Sequence, residues 1–189
     1  MQLTAQEIKK FDEIETPFYY YRVEDLEKNV NELCRVTANY GYHIHYALKA
    51  NANEPLLQII SKAGIGADCV SGNEIRRALS CGFRAKDIAF AGVGKTNEEI
   101  RTGLESDIFS FNCESVQELE VINELAAGMD KRANIALRIN PDVNANTHKY
   151  ITTGLEENKF GINRWELEDV LHVLSGLNHV QLTGLHFHI

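Results

Sequence analysis

The chain has 189 residues, of which 19 are basic and 27 acidic, with a formal net charge of −8 and 44% hydrophobic residues. This acidity disfavours nucleic acid or an anionic membrane as the main partner, and the composition is that of an ordinary globular protein. A charged N-terminus, the lack of a long apolar segment and four cysteines without CxxC spacing predict a cytoplasmic protein with no metal site.

Short apolar runs alternate with amphipathic helical patterns along the chain. The predicted strands are 18–22, 43–49, 66–70, 87–91, 107–111, 133–140 and 180–189. The predicted helices are 23–40, 54–63, 72–81, 96–104, 114–127 and 165–175. Thr96 and Ser115 have capping-box spacing, and Pro55 lies in a first helical turn. Three glycines follow predicted helix ends, where a left-handed conformation suits them: Gly41, Gly82 and Gly128.

An alternating β-α-β-α order implies a parallel sheet covered by helices. Six of the strands recur at roughly the thirty-residue spacing of a βαβ unit, as in a (β/α)8 TIM barrel, which typically has about 250 residues. The expected fold is therefore an α/β TIM barrel, truncated after about six strands, in the N-terminal part of a longer protein.

The segment HIHYALKAN, residues 43–51, ends a predicted strand with a lysine. Lys49 shares a strand face with His43 and His45, opposite Ile44 and Tyr46. A lysine at a strand end can simply reach solvent, or its amine can be placed for imine formation with a carbonyl. The other strands distinguish the two interpretations.

Three further strands place polar side chains near their carboxyl ends, where functional groups gather in parallel barrels. The side chains are Asp68, Arg138, and the pair His186 and His188 on one face of the last strand. Each has an ordinary structural explanation, such as a helix cap or a buried ion pair. Four such strand ends together favour a functional site, because buried charges are costly without a function or a partner. An amine, a carboxylate, a guanidinium and an imidazole suit pyridoxal phosphate bound by Lys49.

The residues also resemble the N-terminal barrel part of the diaminopimelate decarboxylase family, within the alanine-racemase-like (fold type III) pyridoxal-phosphate enzymes. The resemblance is carried by TPFYYY (16–21), YALKAN (46–51), GADCVSGNEI (66–75), FAGVGKT (90–96), RINPDVNANTHKYITTGLEENKFGI (138–162) and GLHFHI (184–189). The 138–162 stretch is the part that favours the diaminopimelate branch over the polyamine branch.

The resemblance implies a function and roles for individual residues. It implies decarboxylation of meso-diaminopimelate to L-lysine with pyridoxal 5'-phosphate, Lys49 resembling the Schiff-base lysine and His188 the imidazole that stacks on the cofactor ring. Asp68, Glu74 and Arg138 resemble polar residues around the cofactor. His186 is expected to be structural.

The resemblance also implies a domain division and an assembly. Residues 1–22 are expected to contribute a strand to a β-domain outside this sequence, and residues 23–189 to form an incomplete cofactor-binding barrel. The full-length protein is expected to be a cytoplasmic homodimer, and this part alone to be inactive and poorly folded.

Four alternatives remain beside this interpretation. One is another basic amino-acid or polyamine-pathway decarboxylase of the same fold, and another is a relative that has lost catalysis. The run 89–96 fits a relaxed phosphate-binding loop for a nucleotide. The His-x-His pairs could bind a metal, although no further ligand cluster is evident. The polar loop 141–160 ranks second to the strand ends as a functional element.

Overall fold

Six parallel strands form one sheet, in which each strand pairs with its neighbour in the chain. The computed structural model describes residues 3–141 and 160–188. The strands are β1 (His45–Ala47), β2 (Gly66–Cys69), β3 (Ile88–Phe90), β4 (Ser110–Cys113), β5 (Ala133–Arg138) and β6 (Val180–His186). Winding in one direction, with a helix between each two successive strands of the described chain, is the arrangement of a (β/α)8 barrel and not of a doubly wound sheet. The expected barrel-type fold is confirmed.

Seven α-helices lie in the described part of the chain. They are α1 (Ala5–Phe11), α2 (Val23–Ala38), α3 (Glu54–Lys62), α4 (Gly72–Ser80), α5 (Asn97–Ser106), α6 (Val116–Gly128) and α7 (Leu167–Leu174). None of these helices has the length and apolar character needed to cross a membrane. The predicted loop 141–160 falls largely outside the described residues, which resume at Phe160.

Side-chain caps fix where the helices between the strands begin. Thr96 forms the predicted capping box with Glu99 at the start of α5. Ser115 accepts a hydrogen bond from the backbone N–H of Glu118, but the Glu118 carboxylate binds other groups, so only half of the predicted box forms. Ser71 caps α4 in the same way as Ser115 caps α6. Because the strands are parallel, the three loops that end at these caps lie at the same end of the sheet.

The N-terminal segment differs from the prediction. No strand forms at residues 18–22, because no described strand pairs with this segment. Instead Tyr20 donates a hydrogen bond to Glu7 in α1, a helix that the sequence analysis did not predict. This hydrogen bond, followed by those from Thr4, lowers the pKa of Glu7 to about 2. The ring of Phe11 packs on Phe18 and Tyr20, with centroids 5.3 and 4.8 Å away.

Two element boundaries also differ from the prediction. β4 begins at Ser110, three residues later than predicted, because Asp107 adopts a left-handed conformation (φ 53°) that ends α5. The last helical residue of α6 is Gly128, and Asp130 takes the left-handed conformation expected for that glycine (φ 51°). Aspartate tolerates this conformation better than most residues, so the turn did not require glycine.

The strand register separates two faces of the sheet. Ala47, Asp68, Ala89 and Ser110 are paired across β1 to β4 and share one face. The opposite face packs on the helices and forms the apolar core. Its fully buried members on the strands are Ala67, Cys69, Ile88, Phe90, Cys113, Ile135 and Leu137. Burial raises the pKa of Cys69 to about 12 and that of Cys113 well above its ordinary value, so these thiols are packing groups.

An irregularity interrupts the pairing of β5 with β6. Ile135 pairs with Leu182 and Ala136 with Gly184, which leaves Thr183 as an extra residue in β6. The Thr183 hydroxyl donates to the Ile135 carbonyl at 3.0 Å. This contact stabilises a β-bulge three residues before the end of β6.

The outward face of β6 is apolar and exposed. Leu182, Leu185 and Phe187 have exposed fractions of 40%, 62% and 61%. In the described residues, β1 and β6 each pair on one side only. An open edge beside exposed apolar residues favours association with other chains over a single packed state.

We expect residues 1–189, expressed alone, to lack a cooperative thermal transition, because the exposed β6 face and the two open edges leave the sheet incomplete. Differential scanning calorimetry with near-UV circular dichroism would measure this, with the full-length protein as the control. A single sharp transition with a fixed near-UV signal for residues 1–189 would contradict the expectation.

Candidate active site

The sequence analysis predicted Lys49 as the last residue of a strand, but in the structure Lys49 lies beyond the end of β1. β1 ends at Ala47, and residues Leu48–Ala50 form a 3₁₀ turn at its carboxyl end. Leu48 is fully buried against the helices, whereas Lys49 is exposed. Ala47 pairs with Asp68 on β2. Lys49 therefore lies two residues beyond the position on β1 that is beside Asp68. The amine is thereby available at the strand ends.

The turn that contains Lys49 is held from both sides. Tyr46 donates its hydroxyl to the backbone carbonyl of Asn51 at 3.2 Å, which spans the turn. The Asn51 side chain accepts from the backbone of Asn53 at 2.9 Å and donates to the Tyr21 hydroxyl at 3.0 Å. Burial raises the pKa of Tyr46, and nearby Tyr21 adds to this shift. Tyr46 therefore stays a neutral donor, and the turn has a defined shape.

Asp68 and Glu74 lie at the carboxyl end of β2, as predicted. Asp68 is half-buried on the barrel-interior face and does not cap α4, whose N-cap is Ser71. Glu74 lies in the first turn of α4, and its Oε2 accepts a hydrogen bond from the backbone N–H of Val70 at 2.7 Å. The Glu74 carboxylate is thus fixed against the junction between strand and helix.

Arg138 forms a buried ion pair, the structural alternative that the sequence analysis considered for it, with a partner that the sequence analysis did not identify. Its Nη1 donates to Glu114 Oε1 at 2.7 Å, and the two side chains are 14% and 8% exposed. Glu114 was missed because the preceding strand was predicted three residues too early. Continuing the alternation of Ser110 and Asn112 from the true strand by one step gives Glu114 on the same face.

His186 is a half-buried imidazole on which several charged groups act. It pairs with Arg138 in the β5–β6 register and shares the interior face with it. Burial lowers the pKa of His186, and the Arg138 guanidinium and His188 lower it further, against the opposing charges of Asp68 and Glu114. His188 is exposed, beyond the end of β6. The structure thus brings Asp68, Glu114, Arg138 and His188 within electrostatic range of one imidazole.

The interior face leaves room for a polar ligand. Small residues occupy it at Ala47, Ala89 and Gly184, and a methyl group added to Gly184 would meet no atom within 4 Å. Glu114 Oε2 and His186 Nδ1 are buried without a hydrogen-bond partner among residues 3–141 and 160–188. Buried polar atoms normally have partners. Open space beside such atoms, at the sheet edge where Lys49 follows β1, fits a polar aldehyde cofactor such as pyridoxal phosphate.

The nucleotide-binding interpretation of residues 89–96 is wrong. Lys95 is 1% exposed, and its ammonium donates to the carbonyls of Gly92 and Asn112, at 2.9 and 2.8 Å, and to Glu118 Oε1 at 2.6 Å. All three of its protons are therefore used within the protein, and no donor remains for a phosphate. Lys95 also lies 5.2 Å from the ring centroid of Phe90.

The first histidine pair lies away from the strand ends that carry the charged groups. His45 begins β1, and its Nδ1 is 3.3 Å from the carbonyl of Ala67. Its ring packs against Phe109 with the centroids 5.8 Å apart. Within the described ranges, no three His, Cys, Asp or Glu side chains come together as a set that could hold a metal ion.

Comparisons with known proteins agree with this geometry. The family model described as the pyridoxal-binding domain of pyridoxal-dependent decarboxylases matches residues 23–189. The diaminopimelate decarboxylase of Bacteroides thetaiotaomicron is 55% identical over 183 residues, which cover 96% of this chain and 47% of that protein. The chain therefore spans about half the length of the curated relatives that it matches.

Solved structures extend the likeness to the fold. A mutant diaminopimelate decarboxylase from Helicobacter pylori, crystallised with L-lysine, superposes with a TM-score of 0.88 at 37% identity, covering 96% of this chain and 46% of that one. An arginine decarboxylase from a Paramecium bursaria Chlorella virus has a TM-score of 0.70 at 23% identity, covering 87% and 41%. The second likeness concerns the fold alone.

We expect Lys95→Met to lower the free energy of unfolding of the full-length protein by about 3–5 kcal/mol, because Glu118 would keep a buried, uncompensated charge. Urea denaturation would measure the change, and Lys86→Met, at an exposed position, is the matched control. A Lys95→Met effect within about 0.5 kcal/mol of the control, as for surface substitutions, would contradict the structural role of Lys95.

Proposed function

The chain belongs to the family of pyridoxal-dependent decarboxylases, and from this premise we propose that the full-length protein converts meso-diaminopimelate to L-lysine and carbon dioxide with pyridoxal 5'-phosphate. The observation that carries the proposal is the exposed Lys49 at the carboxyl end of β1, at the same edge of the sheet as the polar strand ends of β2, β5 and β6. The 55% identity to a named diaminopimelate decarboxylase supports the choice of reaction.

Lys49 is the proposed nucleophile that binds the cofactor covalently. The bound pyridoxal ring supplies an electron sink for the carbanion that loss of a carboxylate leaves at the α-carbon. The protein's contribution is to hold the turn that carries Lys49, and the Tyr46–Asn51 contact across the turn does this. An exposed amine needs no conformational change to reach an aldehyde at the strand ends.

The other proposed cofactor residues act through charge and packing. His188, beyond the end of β6, would lie flat against the cofactor ring. Arg138 and Asp68 would set the local charge, and Glu74 would support the end of β2 through its bond to Val70. The half-buried positions of Asp68 and Arg138 strengthen these electrostatic effects relative to an exposed site.

The assembly and location of the protein are further parts of the proposal. We infer a homodimer in the cytoplasm, as the sequence resemblance implies. Sedimentation equilibrium of the full-length protein would measure the mass of the assembly, and a monomer at micromolar concentration would contradict the dimer.

We expect the full-length protein, mixed with pyridoxal phosphate, to show the visible absorbance of a covalently bound cofactor, and Lys49→Ala to lose it. Lys62→Ala, which removes an exposed lysine at the end of α3, is the matched control and should keep the band. If Lys49→Ala keeps the absorbance band after dialysis, the cofactor is bonded to another residue.

We expect meso-diaminopimelate to be the preferred substrate when the same protein is tested separately with meso-diaminopimelate, arginine, ornithine and lysine. Release of carbon dioxide and formation of the amine product would be measured for each. Preference for arginine or ornithine would favour the polyamine-pathway alternative. No turnover of any of the four, with the cofactor bound, would favour a relative that has lost catalysis.

A further inference from the structure

We propose that Glu114 is a positioning residue of the candidate active site, which holds the Arg138 guanidinium on the barrel-interior face and balances the positive charge gathered there. This inference rests on the proposed function, because it assigns Glu114 a task in the same cofactor site. The five residues assigned to the cofactor come from the ends of β1, β2, β5 and β6, so the proposal adds a fifth strand end, that of β4, to the site.

Glu114 is fixed through both its backbone and its side chain. It follows β4 directly and precedes Ser115, the N-cap of α6. Its backbone N–H donates to Glu118 Oε2 at 2.7 Å, and its Oε1 accepts from Arg138 Nη1 at 2.7 Å. A short, buried hydrogen bond between two charged groups holds a guanidinium more firmly than a surface pair does. Arg138 therefore has a defined place beside His186.

The second carboxylate oxygen separates Glu114 from a purely structural glutamate. Glu114 Oε2 is buried, and within residues 3–141 and 160–188 no group donates a hydrogen bond to it. A buried acceptor without a donor costs about 1–3 kcal/mol. Glu118, four residues later, has hydrogen bonds to both of its oxygens, from Lys95 and from the Glu114 backbone. Packing accounts for Glu118 but leaves half of the Glu114 carboxylate free for a site function.

The charges on the interior face show what the carboxylate contributes. The charged and titratable groups that act on His186 are Asp68 on β2, Glu114 after β4, Arg138 on β5 and His188 after β6. Asp68 and Glu114 are anionic and oppose the positive charge of Arg138 at His186. Without the Glu114 charge, Arg138 would be less well compensated, and His186 would lose its proton at a lower pH.

The experiment replaces Glu114 with glutamine in the full-length protein and follows two protonation equilibria. The first is the pH midpoint of the visible absorbance of the bound cofactor. The second is the NMR titration of His186 in the cofactor-free protein, assigned by the loss of its signal in His186→Gln. Glu99→Gln is the matched control, because Glu99 caps α5 at the same end of the sheet and accepts from the backbone of Gly72.

We expect Glu114→Gln to lower both midpoints by about one pH unit, the size of the effect of a unit charge about 10 Å away at an effective dielectric constant near 20. Glu99→Gln should leave both unchanged. Midpoints of Glu114→Gln equal to those of the control would overturn the inference. If Glu114→Gln does not fold, Glu114→Asp is the test variant. Its shorter side chain moves the carboxylate away from Arg138, so both midpoints should fall by a smaller amount. Unchanged midpoints in Glu114→Asp would overturn the inference.

The two readouts keep this inference separate from the proposed function. A wild-type protein without a cofactor band that depends on Lys49 would refute the proposed function. The His186 titration needs no cofactor, and it would still decide whether Glu114 balances the interior charges. If the cofactor band is normal, and neither its pH midpoint nor the His186 titration changes in Glu114→Gln, the role of Glu114 alone is refuted.

Discussion

Parallel pairing of the strands in sequence order is the constraint on which the rest of this structure depends. It directs the carboxyl ends of all six strands to one edge, and it makes paired residues share a face. The face toward the helices is closed by apolar side chains such as Phe90 and Leu137, while the other face collects Asp68, Arg138 and His186. A single geometric rule therefore produces both the hydrophobic core and the polar site.

Alternation within strands made much of this arrangement predictable, and local backbone geometry limited the rest. The faces assigned to Asp68 and Arg138 are those in the structure, because period-two alternation in an uninterrupted buried strand leaves one solution. His186 also lies on the assigned face, but only because the bulge at Thr183 shifts the alternation within β6. The 3₁₀ turn at Lys49 was not predictable, since YALKAN continues a strand-like pattern. Glu114 was missed for a related reason: the left-handed Asp107 delays β4, and non-glycine residues seldom signal that conformation.

Two buried ion pairs near the strand ends differ in what they explain. Lys95 and Glu118 use all of their hydrogen-bonding groups within the protein and join the loop after β3 to the start of α6. Arg138 and Glu114 leave a carboxylate oxygen unpaired on the interior face. Complete pairing is typical of a structural element, and incomplete pairing of a site that receives another molecule. The number of satisfied oxygens thus distinguishes the two pairs, although both are buried.

The extra residue Thr183 sets the phase of the last strand. Before it, Val180 and Leu182 face the helix side; after it, Leu185 and Phe187 do, so the outward positions change from even to odd numbers. Uninterrupted pairing would set Leu185 opposite Arg138 and turn the two histidines away from the other charged groups. The histidine positions turn to the interior side because the pairing register shifts by one residue at Thr183, whose hydroxyl stabilises the shift. An insertion or deletion there would place the apolar residues on the interior side and the histidines on the helix side.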